Sequence, residues 1–157
     1  MEAVREAVGS DEQRFDELVA EFVAGVATQR GGALLLDPDP DDAAAVVSQP
    51  LSDLLGDHRC LVLMGTLEEA VTGVAVCHHE DRGIHGRQGR LDACYVEPGA
   101  RGVGLGRLLL DTALAWLESE GCTGADGVAL PGDRSAKSFF EAAGFKARMI
   151  TMHRPLG

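Results

Sequence analysis

The sequence predicts a single α/β domain in which helices cover a sheet. Three observations predict it. Residues 60–77 hold two β-rich runs on either side of Leu67-Glu68-Glu69, the pattern of an antiparallel hairpin. Residues 90–110 pass from a strand through a glycine-rich turn into a leucine-rich helix. Elsewhere apolar residues recur at helical spacing, as in Phe15, Leu18, Val19, Phe22, Val23 and Val26. At 157 residues, 45% hydrophobic and 25% charged, the chain can fill one domain with a sizeable core.

Taken in order, Ser10-Asp11-Glu12-Gln13 reads as a capping box that opens a helix, and Arg30-Gly31-Gly32 closes it. Residues 2–8 are expected to add a turn or two to that helix. Gly32 to Leu36 is expected as a first strand. Short helices are expected over Asp41–Val47 and Pro50–Leu55, divided by Pro50 and stopped by Gly56. Cys60–Thr66 and Ala70–Cys77 form the hairpin. The polar, glycine-rich run from His79 to Gly89 reads as a loop. His78, His79 and His85 with Glu80 and Asp81 lack metal-ligand spacing, so a solvated loop is expected there and no metal.

Leu91 to Val96 is the next strand. The helix from Leu105 to Glu120 carries Leu105, Leu108, Leu109, Ala113, Trp116 and Leu117 on one face, widened by Leu110 and Leu114. Gly127 to Leu130 is expected as a short strand. Asp133 then caps a last helix with Ala136, Phe139, Phe140 and Ala143 inward, and Gly144-Phe145 has the form of a Schellman stop. Lys146 to His153 is expected as the final strand. No internal repeat or linker interrupts this order.

Functional chemistry concentrates between the strand at 91–96 and the helix at 105. Amides without intrahelical partners converge at a helix N-terminus, and the helix dipole adds positive potential there. Gly102, Gly104 and Gly106 let the backbone approach an anion closely, while Arg101 and Arg107 bring charge suited to a diphosphate. The glycines miss the dinucleotide fingerprint by one residue, and too little chain follows for a doubly wound fold. Gly106-Arg107-Leu108 also lacks the Gly-Lys-Ser/Thr ending of a Walker loop.

Tyr95-Val96-x-Pro98-x-x-Arg101-Gly102-x-Gly104-x-Gly106, followed by a leucine-rich helix, resembles the acetyl-CoA motif of the GNAT N-acetyltransferases. Asp133-Arg134-Ser135-Ala136-Lys137-Ser138-Phe139-Phe140-Glu141-Ala142-Ala143-Gly144-Phe145 is similar to that family's second motif, N-x-x-A-x-x-(F/L)-Y-E-x-x-G-F. The matched segments span residues 90 to 145, about a third of the chain. The resemblance implies a GNAT-like fold: a mixed, mostly antiparallel sheet, helices on both faces, and central strands that splay around the cofactor. It implies acetyl-CoA as co-substrate, with Arg101, Gly102, Val103, Gly104, Leu105, Gly106 and Arg107 on the pyrophosphate. The backbone of Cys94, Tyr95 and Val96 would hold pantetheine and polarise the thioester carbonyl. Asp133, Ser135, Lys137 and Phe140 would line the far wall. Asp133 replaces the family's pantetheine-contacting asparagine. Phe140 replaces a tyrosine that commonly protonates the departing thiolate.

An amine acceptor also needs a base, because a lysine-like amine of pKa ~10.4 is mostly protonated at pH 7. Asp92 is the candidate. Strand alternation places it on one face with Cys94 and Val96, opposite Leu91, Ala93 and Tyr95, where apolar neighbours would raise its pKa. Pairing with a neighbouring arginine is the competing reading, and Glu80 and His79 are weaker alternatives for the base. Cys94 has no visible activating partner and reads as a core thiol, as do the other cysteines, and Tyr95 reads as a core residue.

The expected reaction is direct acetyl transfer to a primary amine on a small molecule or peptide. The rival is a non-catalytic acyl-CoA-binding module of the same fold. A net charge of −11, from 25 acids and 14 bases, disfavours nucleic acid as a partner. No apolar run is long enough to cross a membrane, and the acidic N-terminus is unlike a signal peptide, so a cytoplasmic protein is expected. The amphipathic N-terminal helix could serve a homodimer.

Overall fold

A computed structural model describes residues 1–36 and 46–157. Five strands lie in sequence order across one sheet: β1 (Glu2–Glu6), β2 (Cys60–Leu67), β3 (Ala70–Asp81), β4 (Arg87–Val96) and β5 (Gly124–Gly127). The first three pairings are antiparallel, and β4 pairs with β5 in parallel. A parallel neighbour requires a crossover, and the helix α4 (Leu105–Ser119) supplies it.

The sheet is covered on both faces. Against one face, α4 buries Leu105, Leu109, Leu110, Ala113 and Leu117 on Leu61, Leu63, Ala75, Cys77, Leu91 and Val96. Phe139 and Phe140 of α5 (Arg134–Ala142) extend this cluster. Against the other face, α1 (Glu12–Ala27) and α3 (Leu51–Leu55) bring Phe15, Leu18, Leu51 and Leu54 onto Val62, Met64, Val74, Val76 and Ala93. Twelve large side chains, Phe15 and Leu110 among them, are under 2% exposed, so a Leu→Ala change in this set costs about 2–5 kcal/mol.

Residues 2–6 form an edge strand rather than a helical extension. Five residue pairs from Glu2↔Leu67 to Glu6↔Leu63 tie them to β2, which outweighs the helix propensity of so short a run. The turn into α1 is fixed by Asp11 rather than Ser10. Its carboxylate accepts from the Val8 amide at 2.8 Å and from the Arg5 fork at 2.7 and 2.8 Å. Gly32–Leu36 is a helical turn, α2, not a strand; a short apolar run has no period that separates the two states. Most of the helix expected over Asp41–Val47 lies outside the described residues, and Val46–Ser48 is a 3-10 turn.

The run from His79 to Gly89 is mostly strand. Pairing continues to Asp81↔Arg87, where the two side chains form an ion pair at 2.9 Å, and the turn narrows to residues 82–86. β5 sits at Gly124–Gly127, three residues before the apolar stretch expected to form it, because parallel pairing follows Gln88–Leu91 of β4. Asp133 caps α5 by accepting from the Ala136 amide at 3.0 Å. The bonds Phe145 N to Phe140 O and Gly144 N to Glu141 O complete the Schellman stop. Residues 146–157 contain no strand. Met149, Ile150 and Met152 are 85%, 76% and 88% exposed, and a β-prone segment without a partner edge or a buried face gains nothing from extension.

One irregularity governs the site. The β3–β4 register passes from Val76↔Ala93 to Cys77↔Leu91 and skips Asp92, which is therefore the extra residue of a β-bulge.

Candidate functional site

The bulge reverses the alternation expected for β4. Leu91, Cys94 and Val96 pack with the α4 cluster, whereas Ala93 and Tyr95 pack on the α1 side. Asp92 meets His78 of β3, whose neighbours Val74 and Val76 belong to the α1-side core, so Asp92 and Ala93 turn consecutively to that face. The face shared by Asp92, Cys94 and Val96 in the sequence reading is thereby corrected.

Asp92 also marks the point where the sheet opens. Pairing with β5 ends at Leu91↔Gly127, while β4 continues to Val96. The β5-facing edge of residues 92–96 consequently pairs with no strand among the described residues. Phe140 presses against β5 at this opening. A Cβ built on Gly127 would lie 2.4 Å and 2.6 Å from two of its ring carbons, so only glycine lets the ring sit there.

Beyond Val96 the chain turns through Pro98–Ala100 and enters α4 at Gly104. Gly102 and Gly104 have φ of +86° and +91°, a left-handed region that side chains resist. Among the described residues, no acceptor meets the amide hydrogens from Gly102 to Arg107; the first helical bond runs from Leu108 N to Gly104 O. Six consecutive unpaired amides, aligned with the positive end of a 15-residue helix, form a concave anion site. Arg101 is held beside it. Its Nε donates to Val96 O at 2.7 Å and its guanidinium lies 5.4 Å from the Tyr95 ring centre, leaving the terminal nitrogens without a hydrogen bond among the described residues. Tyr95 is itself fixed through Oη, which donates to Glu21 at 3.1 Å. Arg107 is placed differently from the expectation for its charge. Its guanidinium bonds Asp111 at 2.9 Å and the Ala142 carbonyl at 3.1 Å, joining α4 to the end of α5, so its contribution at the loop is its amide.

On the α5 side, Asp133 is engaged as the helix cap, Ser135 and Lys137 are exposed, and Lys137 reaches to 3.7 Å from Glu141. The Cys94 thiol is pushed up to about 12 by burial, so it offers no thiolate. The cysteines are all free.

The titratable centre is the Asp92–His78 pair. His78 Nδ1 lies 2.7 Å from Asp92 Oδ2, with the two side chains 18% and 8% exposed. Burial raises the Asp92 carboxyl, and the hydrogen bond and charge of His78 with the charge of Arg90 only partly offset it. For His78, burial works downward, but the bond and charge of Asp92, joined by Glu80, outweigh it and hold the ring above its ordinary value. The pair therefore retains one shared proton at neutral pH. Arg90 Nε stands 3.8 Å from Asp92 Oδ1, so the arginine neighbour expected as a competitor is present but secondary to the histidine. His79 lies on the opposite face, 4% exposed and stacked 5.5 Å from Trp116, and burial lowers its pKa; it has no access to this centre. His78 itself escaped the sequence reading. It is 14 residues from Asp92, and only the hairpin register combined with the bulge brings them together.

The family model for the acetyltransferase (GNAT) family matches residues 28–145, about three quarters of the chain. The chain belongs to the GNAT acetyltransferase family. Solved GNAT-like structures share the fold at low identity. A mutant of the BH1408 protein from Bacillus halodurans superposes with a TM-score of 0.78 at 18% identity, covering 98% of this chain and 99% of that one. A predicted acetyltransferase from Clostridium acetobutylicum, solved with acetyl-CoA, gives 0.72 at 15% identity, covering 99% and 96%. A ribosomal-protein-alanine N-acetyltransferase from Brucella melitensis gives 0.70 at 16%, with both chains fully covered. No protein of curated function matches the sequence. The five-stranded mixed sheet is the GNAT sheet, open along β4 beyond Leu91. Among the described residues no helix is long and apolar enough to cross a membrane.

Proposed function

We propose that this GNAT protein transfers the acetyl group of acetyl-CoA directly to a primary amine. The observation that carries the reading is the row of six unpaired amides from Gly102 to Arg107, set where β4 parts from β5. The amides and Arg101 would bind the pyrophosphate. Pantetheine would then run along the free edge of Cys94, Tyr95 and Val96, which directs the thioester toward the apex of the opening. There the open backbone of β4 would polarise the thioester carbonyl. Asp133, Ser135, Lys137 and Phe140 would form the opposite wall.

Asp92 lies at that apex, and with His78 it would take the proton of the incoming amine. Freeing the lone pair of an amine of pKa ~10.4 at pH 7 costs about 4–5 kcal/mol, which is the work asked of the pair. Phe140 cannot protonate the leaving thiolate. A general acid is worth roughly 10²–10⁴-fold, about 3–5 kcal/mol, whereas holding amine and thioester together supplies about 7–11 kcal/mol. A thiol of pKa ~8.5 also leaves without full protonation. The missing hydroxyl slows the reaction rather than ending it.

The same missing hydroxyl favours a second reading, an acyl-CoA-binding module without turnover. Thiol release from acetyl-CoA, measured against a panel of amines, separates the two. Release with at least one amine supports the enzyme. Tight CoA binding with no release on any amine supports the module, and absence of CoA binding would remove both. A cytoplasmic setting and a small-molecule or peptide acceptor accord with the net charge of −11, which repels polyanions.

A further inference from the structure

On the same sheet face as the Asp92–His78 pair, a polar cavity of about 290 Å³ opens between the ends of β3, β4 and β5. Three of the side chains on its wall are arginines. Two of them hold acids of the same wall: Arg82 bonds Glu80 at 2.6 Å, and Arg148 bonds Asp126 at 2.7 Å. The third, Arg90, makes no hydrogen bond among the described residues, and its nearest acid oxygen, on Asp92, stands at 3.8 Å. A planar fork of donors thus faces a cavity with its hydrogen bonds unmade, next to the group that would deprotonate the acceptor.

We propose that Arg90 binds a carboxylate of the acceptor, so that the preferred substrate is an α-amino acid or a short peptide whose amine and carboxylate lie close together. The inference rests on the acetyl-transfer reading and specifies its acceptor. The charge arrangement carries it. Asp92 and Arg90 present a negative and a positive group side by side, and a zwitterion laid against them places its ammonium on Asp92 and its carboxylate on Arg90. A polyamine would place a second cation against Arg90 and meet repulsion. A neutral amine would leave the fork without a partner. The cavity is large enough for one amino acid, and its polar wall, which includes Gln88 and Asp126, suits a polar side chain.

The test compares α-amino acids with their carboxamides, which keep the amine and lose the carboxylate, using CoA release by the full chain. Dipeptides and phosphoethanolamine form two further arms that distinguish a peptide carboxylate and a phosphate from a free amino acid. The readout is the ratio of kcat/KM for acid over carboxamide, which cancels any general damage done by a substitution. A charge-assisted bond to an arginine predicts a ratio of about tenfold to a hundredfold in the native protein. Arg90→Gln brings the ratio close to one, and Arg90→Lys leaves an intermediate value, because it keeps the charge without the fork. A ratio near one in the native protein, or one unaltered by Arg90→Gln, overturns the subsite. A larger ratio for phosphoethanolamine over ethanolamine overturns the choice of carboxylate. If no amine releases CoA, the transfer reading fails, and the subsite is then read from equilibrium binding of N-acetyl amino acids and their carboxamides to CoA-loaded native and Arg90→Gln protein. Equal affinities in that measurement also overturn it.

Discussion

Replacing Gly104 by alanine tests the anion site without touching any charge. Gly104 caps α4 with φ +91° and ψ 1°, and a Cβ built there meets nothing within 4 Å. The cost of the substitution is therefore backbone strain alone, about 1–2 kcal/mol for a non-glycine residue held in the left-handed region. If the loop keeps its shape only when CoA holds it, that strain is charged to binding, and 1–2 kcal/mol corresponds to about a 5- to 30-fold weaker Kd. Gly99 provides the control. It also has open space around its Cβ but no positive φ, so Gly99→Ala should bind CoA like the native chain. Calorimetric titration of CoA into the native protein and the two variants reads the difference, with a thermal melt of each apo form to register any loss of folding. Native affinity in Gly104→Ala, or equal losses in both variants, would refute the argument that left-handed backbone at the start of α4 shapes the site.

Phe140→Tyr should raise kcat for CoA release by up to the roughly 10²–10⁴-fold worth of a general acid, with CoA affinity little altered; a slower variant would show that the position does not face the leaving thiolate. Gly127→Ala should destabilise the fold by about 1–3 kcal/mol in urea unfolding through overlap with the Phe140 ring, and Phe140→Leu in the same chain should recover part of that loss. Strict additivity of the two changes would mean the contact does not matter. The rate of acetyl transfer should rise with pH as the Asp92–His78 pair gives up its shared proton, with a midpoint above the ordinary histidine value because Asp92 holds the ring protonated. Asp92→Asn leaves burial as the main influence on His78, alongside Glu80 and Arg90, so the midpoint moves to lower pH and turnover falls; an unchanged pH–rate profile would remove the pair from the reaction.

The anion loop was legible in the sequence because its physics is local. Two glycines with positive φ, a proline-bearing turn and a leucine-rich helix are sequential features, and each appears where the residues place it. The cap of α5 and its Schellman stop are local in the same sense. What escaped depends on partners distant in the chain. Residues 2–6 pair with a strand some 60 residues away, so their own helix propensity misled. β5 is the polar run Gly124–Gly127 because β4 offers it an edge, and Lys146–His153 has strand-like residues without such an edge. Asp92 could be named from its type and position, but its face and its histidine partner required the register. Arg107 shows the converse: charge near a loop in sequence said nothing of Asp111 and Ala142, which claim its guanidinium.

The extra residue at position 92 sets the phase of everything that follows it in β4. Inward and outward alternate every second residue, so a chain lacking that one insertion would present Cys94 and Val96 to α1 and Ala93 and Tyr95 to α4. Changing the identity of Asp92 and deleting it are thus different edits. The first alters a proton's resting place, whereas the second inverts five residues of strand and drags the turn that begins at Glu97 out of alignment with its helix.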